Sequence, residues 1–324
     1  MAEKLKIAAY SAAGCGGCEI ALLEIHEKIL DLVAAADIVF WPAATDFKYS
    51  DLEAMEDGAI DVCLFNGAIR TEENVHIARL LRQKSKALVA FGACASFGGV
   101  PGLGNLFDTQ DVLERAFTTE STDVTDVRPR TFAEDDSSCV PALTDRVSAL
   151  SGVAVVDYVV PGCAPEAPQV WGVCSAVING ELPPDRQTVG AGDRSVCDEC
   201  PREKRNTRVS AFVRPHQIVP EPDWCLLEQG IVCMGPATRS GCVARCPSAA
   251  MPCRGCYGPA GDSIDQGTKM AAALGTIIDS ENEQTIVDIM DGIADPTGTF
   301  YCFSLPTSLM GGARTRIARK GADR

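Results

Sequence analysis

Residues 5–19 read Leu5-Lys6-Ile7-Ala8-Ala9-Tyr10-Ser11-Ala12-Ala13-Gly14-Cys15-Gly16-Gly17-Cys18-Glu19. The apolar run 5–10 predicts a strand, the small residues and glycines after it a tight loop, and the spacing over 19–32 an amphipathic helix. Strand, loop and helix in that order open an α/β sheet, and here the loop carries two thiols. The same alternation continues outward: 38–41 and 60–65 read as strands, 77–82 as part of a helix, 87–91 and 153–160 as further strands, and 167–178 as a helix. Short strands separated by helical patterns imply a parallel sheet with right-handed crossovers, a flavodoxin-like α/β fold.

The alternation weakens over 107–151, where acidic and polar stretches predict loops and short helices at the sheet's edge. Residues 179–193, rich in Gly, Pro and charge, read as a linker. We therefore expect a first domain over 1–185 and a smaller, irregular second domain over 190–324. Residues 195–259 hold eight cysteines with little periodicity, a composition that metal rather than a large apolar core would organise. Residues 264–290 are more helical.

Composition narrows the function. The 324 residues are 46% hydrophobic, enough for two cores, and the formal charge of −15 argues against a nucleic-acid partner, which clustered Lys and Arg would have to hold. Basic residues concentrate only at Arg314, Arg316, Arg319, Lys320 and Arg324, read as a solvated or partner-covered tail. The N-terminal residues carry mixed charge and no twin-arginine pair, so a cytoplasmic location is expected, and apolar runs such as 152–160 stop well short of membrane-spanning length, so no membrane insertion is expected. A reducing cytosol keeps thiols free, so sixteen cysteines point to metal rather than to disulfides.

Ligands in an open α/β sheet gather on loops beyond the carboxyl ends of strands. Cys15 and Cys18 follow the first strand, Cys94 follows 87–91, and Cys163 follows 153–160. Four thiolates from three such loops can converge on one cubane of iron and sulfide, and the glycines beside them let backbone N–H groups approach the inorganic sulfurs. For any one of these cysteines alone, buried packing would be the better reading. A flavin mononucleotide site would use the same fold, but 11–15 lacks the hydroxyl-rich phosphate cradle. A redox dithiol at Cys15 and Cys18 would leave Cys94 and Cys163 unexplained.

The run GCGGCE at 14–19, GACASFGGVPG at 92–102 and PGCAPE at 161–166 resemble the proximal-cluster domain shared by the small subunits of nickel–iron hydrogenases and the related subunit of respiratory complex I. The resemblance implies Cys15, Cys18, Cys94 and Cys163 as proximal ligands. The complex I relative has adjacent cysteines where this chain has CxxC, which favours the hydrogenase branch.

In the second domain the thiols run Cys197, Cys200, Cys225, Cys233, Cys242, Cys246, Cys253 and Cys256. CxxC pairs bracket this array, and two four-cysteine zinc sites would use the same ligands. Cys200-Pro201 and Cys246-Pro247 are similar to the cysteine–proline step of ferredoxins. The spacing resembles the C-terminal domain of hydrogenase small subunits, and the resemblance implies the division: Cys197 in the place of a histidine, with Cys200, Cys225 and Cys233, for a distal cluster, and Cys242, Cys253 and Cys256 for a medial one. Cys246 stands where membrane-associated relatives have a proline beside a three-iron cluster, which implies a four-iron medial cluster and three [4Fe-4S] clusters in all.

With the run GPATRSGCVARCPSAAMPCRGCYGP at 235–259, the chain resembles most the small-subunit family of F420-non-reducing (methyl-viologen-reducing) hydrogenases, over nearly its whole length. That implies a relay of electrons from H2 oxidation on a partner [NiFe]-hydrogenase large subunit to a heterodisulfide reductase complex, with an MvhD-like ferredoxin-type electron-transfer subunit beside it. The chain itself has no paired CxxC motifs near its two ends to hold nickel, no dinucleotide loop and no nucleophile elbow, so no catalytic residue is assigned. An iron–sulfur subunit of a complex I-like oxidoreductase and a zinc-stabilised interaction module are the alternatives. Cys63, Cys139, Cys174 and Cys302 read as packing residues. His26, His76 and His216 are isolated, with His216 a candidate donor to a cluster sulfur, and Glu19 reads as an exposed first-turn glutamate favoured by the helix dipole.

Overall fold

A computed structural model of the chain describes residues 4–119, 140–184 and 187–312. Strands β1 (Leu5–Ser11), β2 (Ala36–Phe40), β3 (Ile60–Asn66), β5 (Ser85–Phe91), β7 (Tyr158–Val160) and β8 (Gln187–Thr188) form one parallel sheet in the order β2-β1-β3-β5-β7-β8. The first strand lies inside the sheet and the order reverses beside it, as in flavodoxin-like folds. Strands β4 (Ile69–Thr71) and β6 (Leu143–Ser148) pair antiparallel as a separate ribbon.

Both faces of the sheet are covered, so its central strands are apolar on both sides. Ile7, Ala9, Val62, Leu64, Val89 and Phe91 pack on one face with Leu22, Leu32, Trp41, Val170 and Val173. The intervening residues Ala8, Tyr10, Cys63, Phe65, Leu88 and Ala90 pack on the other with Leu52, Ile77 and Leu81. Phe65 and Cys63 have no exposed surface.

Several elements differ from the sequence reading. The helix expected over 19–32 is broken into α1 (Gly17–Leu23), a single 3-10 turn and α2 (Ile29–Ala35), because His26 takes a left-handed backbone at φ 54°. The strand expected over 153–160 shrinks to three residues, since Leu150–Gly152 form a 3-10 turn in which the Leu150 carbonyl accepts from both Val153 and Ala154 N–H. The helix Glu72–Lys84 is longer than the 77–82 core that signalled it, with Thr71 as its N-cap. Within the 107–151 excursion, the helix Thr109–Thr118 and β6 are ordered elements. Cys139 and the basic residues from Arg314 onward lie outside the described residues.

The chain clusters into Met1–Val189 with Leu305–Arg324, and Gly190–Ser304. The return of the chain to the first unit rests on Pro306, which fills the space beside Gly98 and Gly102. The second unit has few long elements, chiefly the helices Gln266–Gly275 and Glu283–Asp291, capped by Asp265 and Asn282. Its buried Gln266 donates to the Gly255 carbonyl and the Thr238 hydroxyl and accepts from Ser304. No helix among the described residues is long and apolar enough to cross a membrane.

Replacing Phe65 by Ala should lower unfolding stability by about 3–5 kcal/mol, the cost of an aromatic-sized cavity at a site that cannot collapse; anaerobic denaturant titration against the parent chain measures it.

Candidate metal centres

The sheet delivers three loops to one end. Beyond β1, Ala13 exchanges both backbone hydrogen bonds with Ala68 beyond β3, at 3.0 and 2.8 Å, so the loop bearing Cys15 is fastened to its neighbour. Gly67 permits this approach: at φ +84°, a Cβ there would fall 2.6 Å from the backbone of Ala12. Beyond β5, Gly92 donates to the Val160 carbonyl and Ala93 to the Gly162 carbonyl, both at 2.7 Å, tying the Cys94 loop to the Cys163 loop.

Cys15, Cys18, Cys94 and Cys163 consequently line one cavity of about 140 Å³, together with Asn66, Gly67 and Gly162. Burial pushes the Cys18 thiol up to about 12, with Cys94, Cys163 and Cys15 adding to the effect, and burial with Cys163 and Cys15 pushes Cys94 up to about 11. The thiols thus sit close enough to oppose one another's ionisation. A multivalent cation at the sulfurs would favour the thiolate at Cys18 and Cys94. The Cys94 sulfur also receives the Val100 backbone N–H. Gly92 and Gly99 leave the room: a Cβ would come within 2.2 Å of the Cys18 sulfur at the first and 2.4 Å of the Cys94 sulfur at the second.

In the second unit, Cys197, Cys200, Cys225 and Cys233 line one cavity of about 360 Å³. Burial pushes Cys197 up to about 12 and Cys233 up to about 11. Here the loops are held by a residue the sequence reading passed over. Arg202, only 8% exposed, donates through Nε to the Pro247 carbonyl at 2.8 Å and through Nη1 to the carbonyls of Glu221 and Trp224, each at 2.9 Å. One guanidinium thereby joins three cysteine-bearing segments, using donors in a fixed fork. The signal for it in the sequence is slight: an arginine two residues after a Cys-Pro step.

Two of the remaining thiols stand near Tyr257. Cys242 and Cys256 both bear on its hydroxyl electrostatically, and Cys256 bears likewise on Cys253, whose thiol burial pushes well above its ordinary value. Cys242 receives the backbone N–H groups of Arg245 and Ala244. Val243 and Ala244, at φ 54° and 48°, are left-handed without being glycine, a conformation retained where it aims successive N–H groups inward. Glu199 accepts from the backbone of Gly241 and Ala244 and stands 3.6 Å from the Cys242 sulfur. Cys246 is exposed on the short helix Arg245–Ser248. The two groups meet where the Cys253 backbone N–H donates to the Cys233 sulfur at 3.3 Å.

Cys63 and Cys174 are buried in the two faces of the sheet core, and Cys302 is buried beside Arg254. His26, His76 and His216 are exposed, and His216 does not line the cavity of Cys197 to Cys233. Glu19 is half-buried rather than exposed, accepting from the Trp41 indole at 3.1 Å. Among the described residues no three His, Cys, Asp or Glu side chains close on a single-ion point; two of the thiol sets line cavities instead, and Cys242, Cys246, Cys253 and Cys256 line neither. Cavities lined by four thiols, with glycine clearance and N–H groups directed at sulfur, fit a multi-iron cluster.

The family described as NADH ubiquinone oxidoreductase, 20 Kd subunit, matches residues 15–177. A subunit of the F420-non-reducing hydrogenase of Methanothermobacter marburgensis is 38% identical over 315 residues, which make up 96% of this chain and 97% of that one. The iron-sulfur subunit of the F420-non-reducing hydrogenase of Archaeoglobus profundus is 38% identical over 317 residues, 94% of this chain and 98% of its own. In fold, the chain is similar to one in the recombinant [NiFeSe] hydrogenase of Desulfovibrio vulgaris Hildenborough, with a TM-score of 0.50 at 17% identity, covering 79% of this chain and 94% of that chain.

Gly92→Ala should displace Cys18 and lower the iron that the anaerobically prepared chain binds relative to the parent. Iron analysis reads the loss; a full complement would mean that the close approach at Gly92 is dispensable.

Proposed function

The chain belongs to the family of F420-non-reducing hydrogenase iron–sulfur subunits, within the broader family of the 20 kDa NADH–ubiquinone oxidoreductase subunit, and from that premise we propose that it is the electron-transfer subunit of a [NiFe]-hydrogenase. It takes electrons from H2 oxidation on a large-subunit partner and passes them through three [4Fe-4S] clusters to a heterodisulfide reductase-type acceptor, by way of a ferredoxin-type subunit. The observation that carries the reading is the convergence of four thiols on one cavity at the carboxyl ends of three parallel strands.

In this reading Cys15, Cys18, Cys94 and Cys163 hold the proximal cluster. Cys197, Cys200, Cys225 and Cys233 hold the distal one, and Cys242, Cys246, Cys253 and Cys256 the medial one. When bound, the clusters supply one-electron storage without bond-making chemistry on the protein. The chain's own residues fix positions and energies. Glycines keep side chains away from the thiols, backbone N–H groups at Cys94, Cys233, Cys242 and Cys253 donate to sulfur, and Arg202 locks the loops. The short link from the Cys253 amide to the Cys233 sulfur favours exchange between the medial and distal groups. Thiolate at Cys197, rather than a neutral imidazole, adds negative charge and lowers the distal potential.

Anaerobic iron and sulfide analysis should find about twelve of each per chain, three four-iron clusters, and purification of the native complex should recover a nickel-containing large subunit. A colourless, zinc-loaded chain would be the zinc-stabilised module instead. Cys246→Pro should convert the medial centre to a three-iron form with its own EPR signature; an unaltered four-iron spectrum would remove Cys246 from the ligand set.

A further inference from the structure

Asn66 ends β3 and lines the cavity of Cys15, Cys18, Cys94 and Cys163. It is 2% exposed, and its amide nitrogen Nδ2 is buried with no hydrogen-bond partner among the described residues. A buried donor left unpaired loses its solvation with nothing in return, so such a group calls for a partner. The other end of the amide is engaged: Oδ1 accepts from the Ser11 hydroxyl at 2.8 Å. The backbone is equally fixed, since the Asn66 carbonyl accepts from Ala12 N–H at 2.8 Å and Asn66 pairs with Ser11 in the sheet register.

The orientation of the amide follows from what surrounds it. A hydroxyl can donate to Oδ1 or accept from Nδ2, so Ser11 would be satisfied either way. The cavity is not indifferent. Its walls carry four sulfurs, which as thiolates are acceptors only, so a carbonyl oxygen turned toward them would be repelled and an N–H attracted. Gly67, the next residue, lets the β1 and β3 loops close to backbone contact, and this holds Asn66 at the cavity wall.

We propose that Asn66 is a potential-setting residue: its side-chain N–H donates to sulfur at the proximal cluster, with the Ser11 hydroxyl anchoring the other end of the amide. This rests on the assignment of Cys15, Cys18, Cys94 and Cys163 as the proximal ligands. A donor to sulfur stabilises the more negatively charged, reduced state over the oxidised one, so it raises the cluster's potential and makes it a better first acceptor. Asn66 acts on the cluster's potential in this role and touches no reacting atom of hydrogen.

The test is an EPR-monitored redox titration of the native complex beside Asn66→Ala and Ser11→Ala. Asn66→Ala should make proximal reduction roughly tenfold less favourable, a fall of about 59 mV for one electron. Ser11→Ala should shift it less, in the same direction, and the medial and distal signals should not move in either variant. A proximal potential unchanged in Asn66→Ala overturns the proposal. Should that variant fail to retain the cluster, the parent complex decides: labelled with 15N-asparagine and reduced, its proximal signal should show nitrogen coupling and an exchangeable proton, and a cluster present without either overturns the proposal. Absence of any proximal cluster in the parent would instead defeat the ligand assignment.

Discussion

Burial of thiols in one another's company is the constraint on which this structure turns. Burial raises the proton affinity of Cys18 and Cys94 in the first unit and of Cys197 and Cys233 in the second, and neighbouring sulfurs add to the rise. A multivalent cation at the sulfurs would offset that cost. With iron and sulfide in place the same convergence becomes binding energy for the fold. The second unit, short of regular elements, depends on this more than the first, whose six-stranded sheet has two apolar faces of its own.

The parts of this architecture that were legible in the sequence are those with a repeating local cause. Near-continuous burial along 60–66 and 85–91 follows from strands covered on both faces, and the cysteine loops announce themselves because glycine and cysteine recur after three of the strands, at 14–18, 92–94 and 162–163. What escaped the reading depends on partners distant in the chain. Thr71 and Leu143 pair across more than seventy residues, so neither of the short strands β4 and β6 carries a signal of its own. The break at His26 opposes a good helical pattern, and only the packing of Leu22, Ile25 and Leu32 against the sheet explains why the chain turns there. Pro306 matters because of Gly98 and Gly102, some two hundred residues earlier, and no local pattern connects them.

The same distinction applies at the candidate centres. Cysteine identity and spacing name the ligand candidates, whereas their supports have no spacing rule. Arg202 is one arginine among many until its three carbonyl partners are known, and Asn66 is an ordinary strand-end asparagine until its amide is seen at the cavity wall. Glu19 is similar: the sequence places it in a first helical turn, but the indole of Trp41 draws it partly inside.

These supports divide the work between the two units by kind. In the first, the carboxyl ends of parallel strands fix the loops, and glycines with positive φ let backbones and sulfurs approach closely, with the Val100 N–H donating to the Cys94 sulfur. In the second, where no sheet exists to aim the loops, long polar side chains do the aiming: Arg202 across three segments, Gln266 across the loop of Cys253 and Cys256, and Glu199 across the turn at Cys242. Glu199 brings a carboxylate toward a sulfur, whereas Arg202 brings a buried cation to the neighbouring cavity. In the proposed relay, opposite charges at adjacent centres would push their potentials apart, lowering the one beside the carboxylate and raising the one beside the guanidinium. Charge placement thus sets the two groups of thiols in environments of opposite sign.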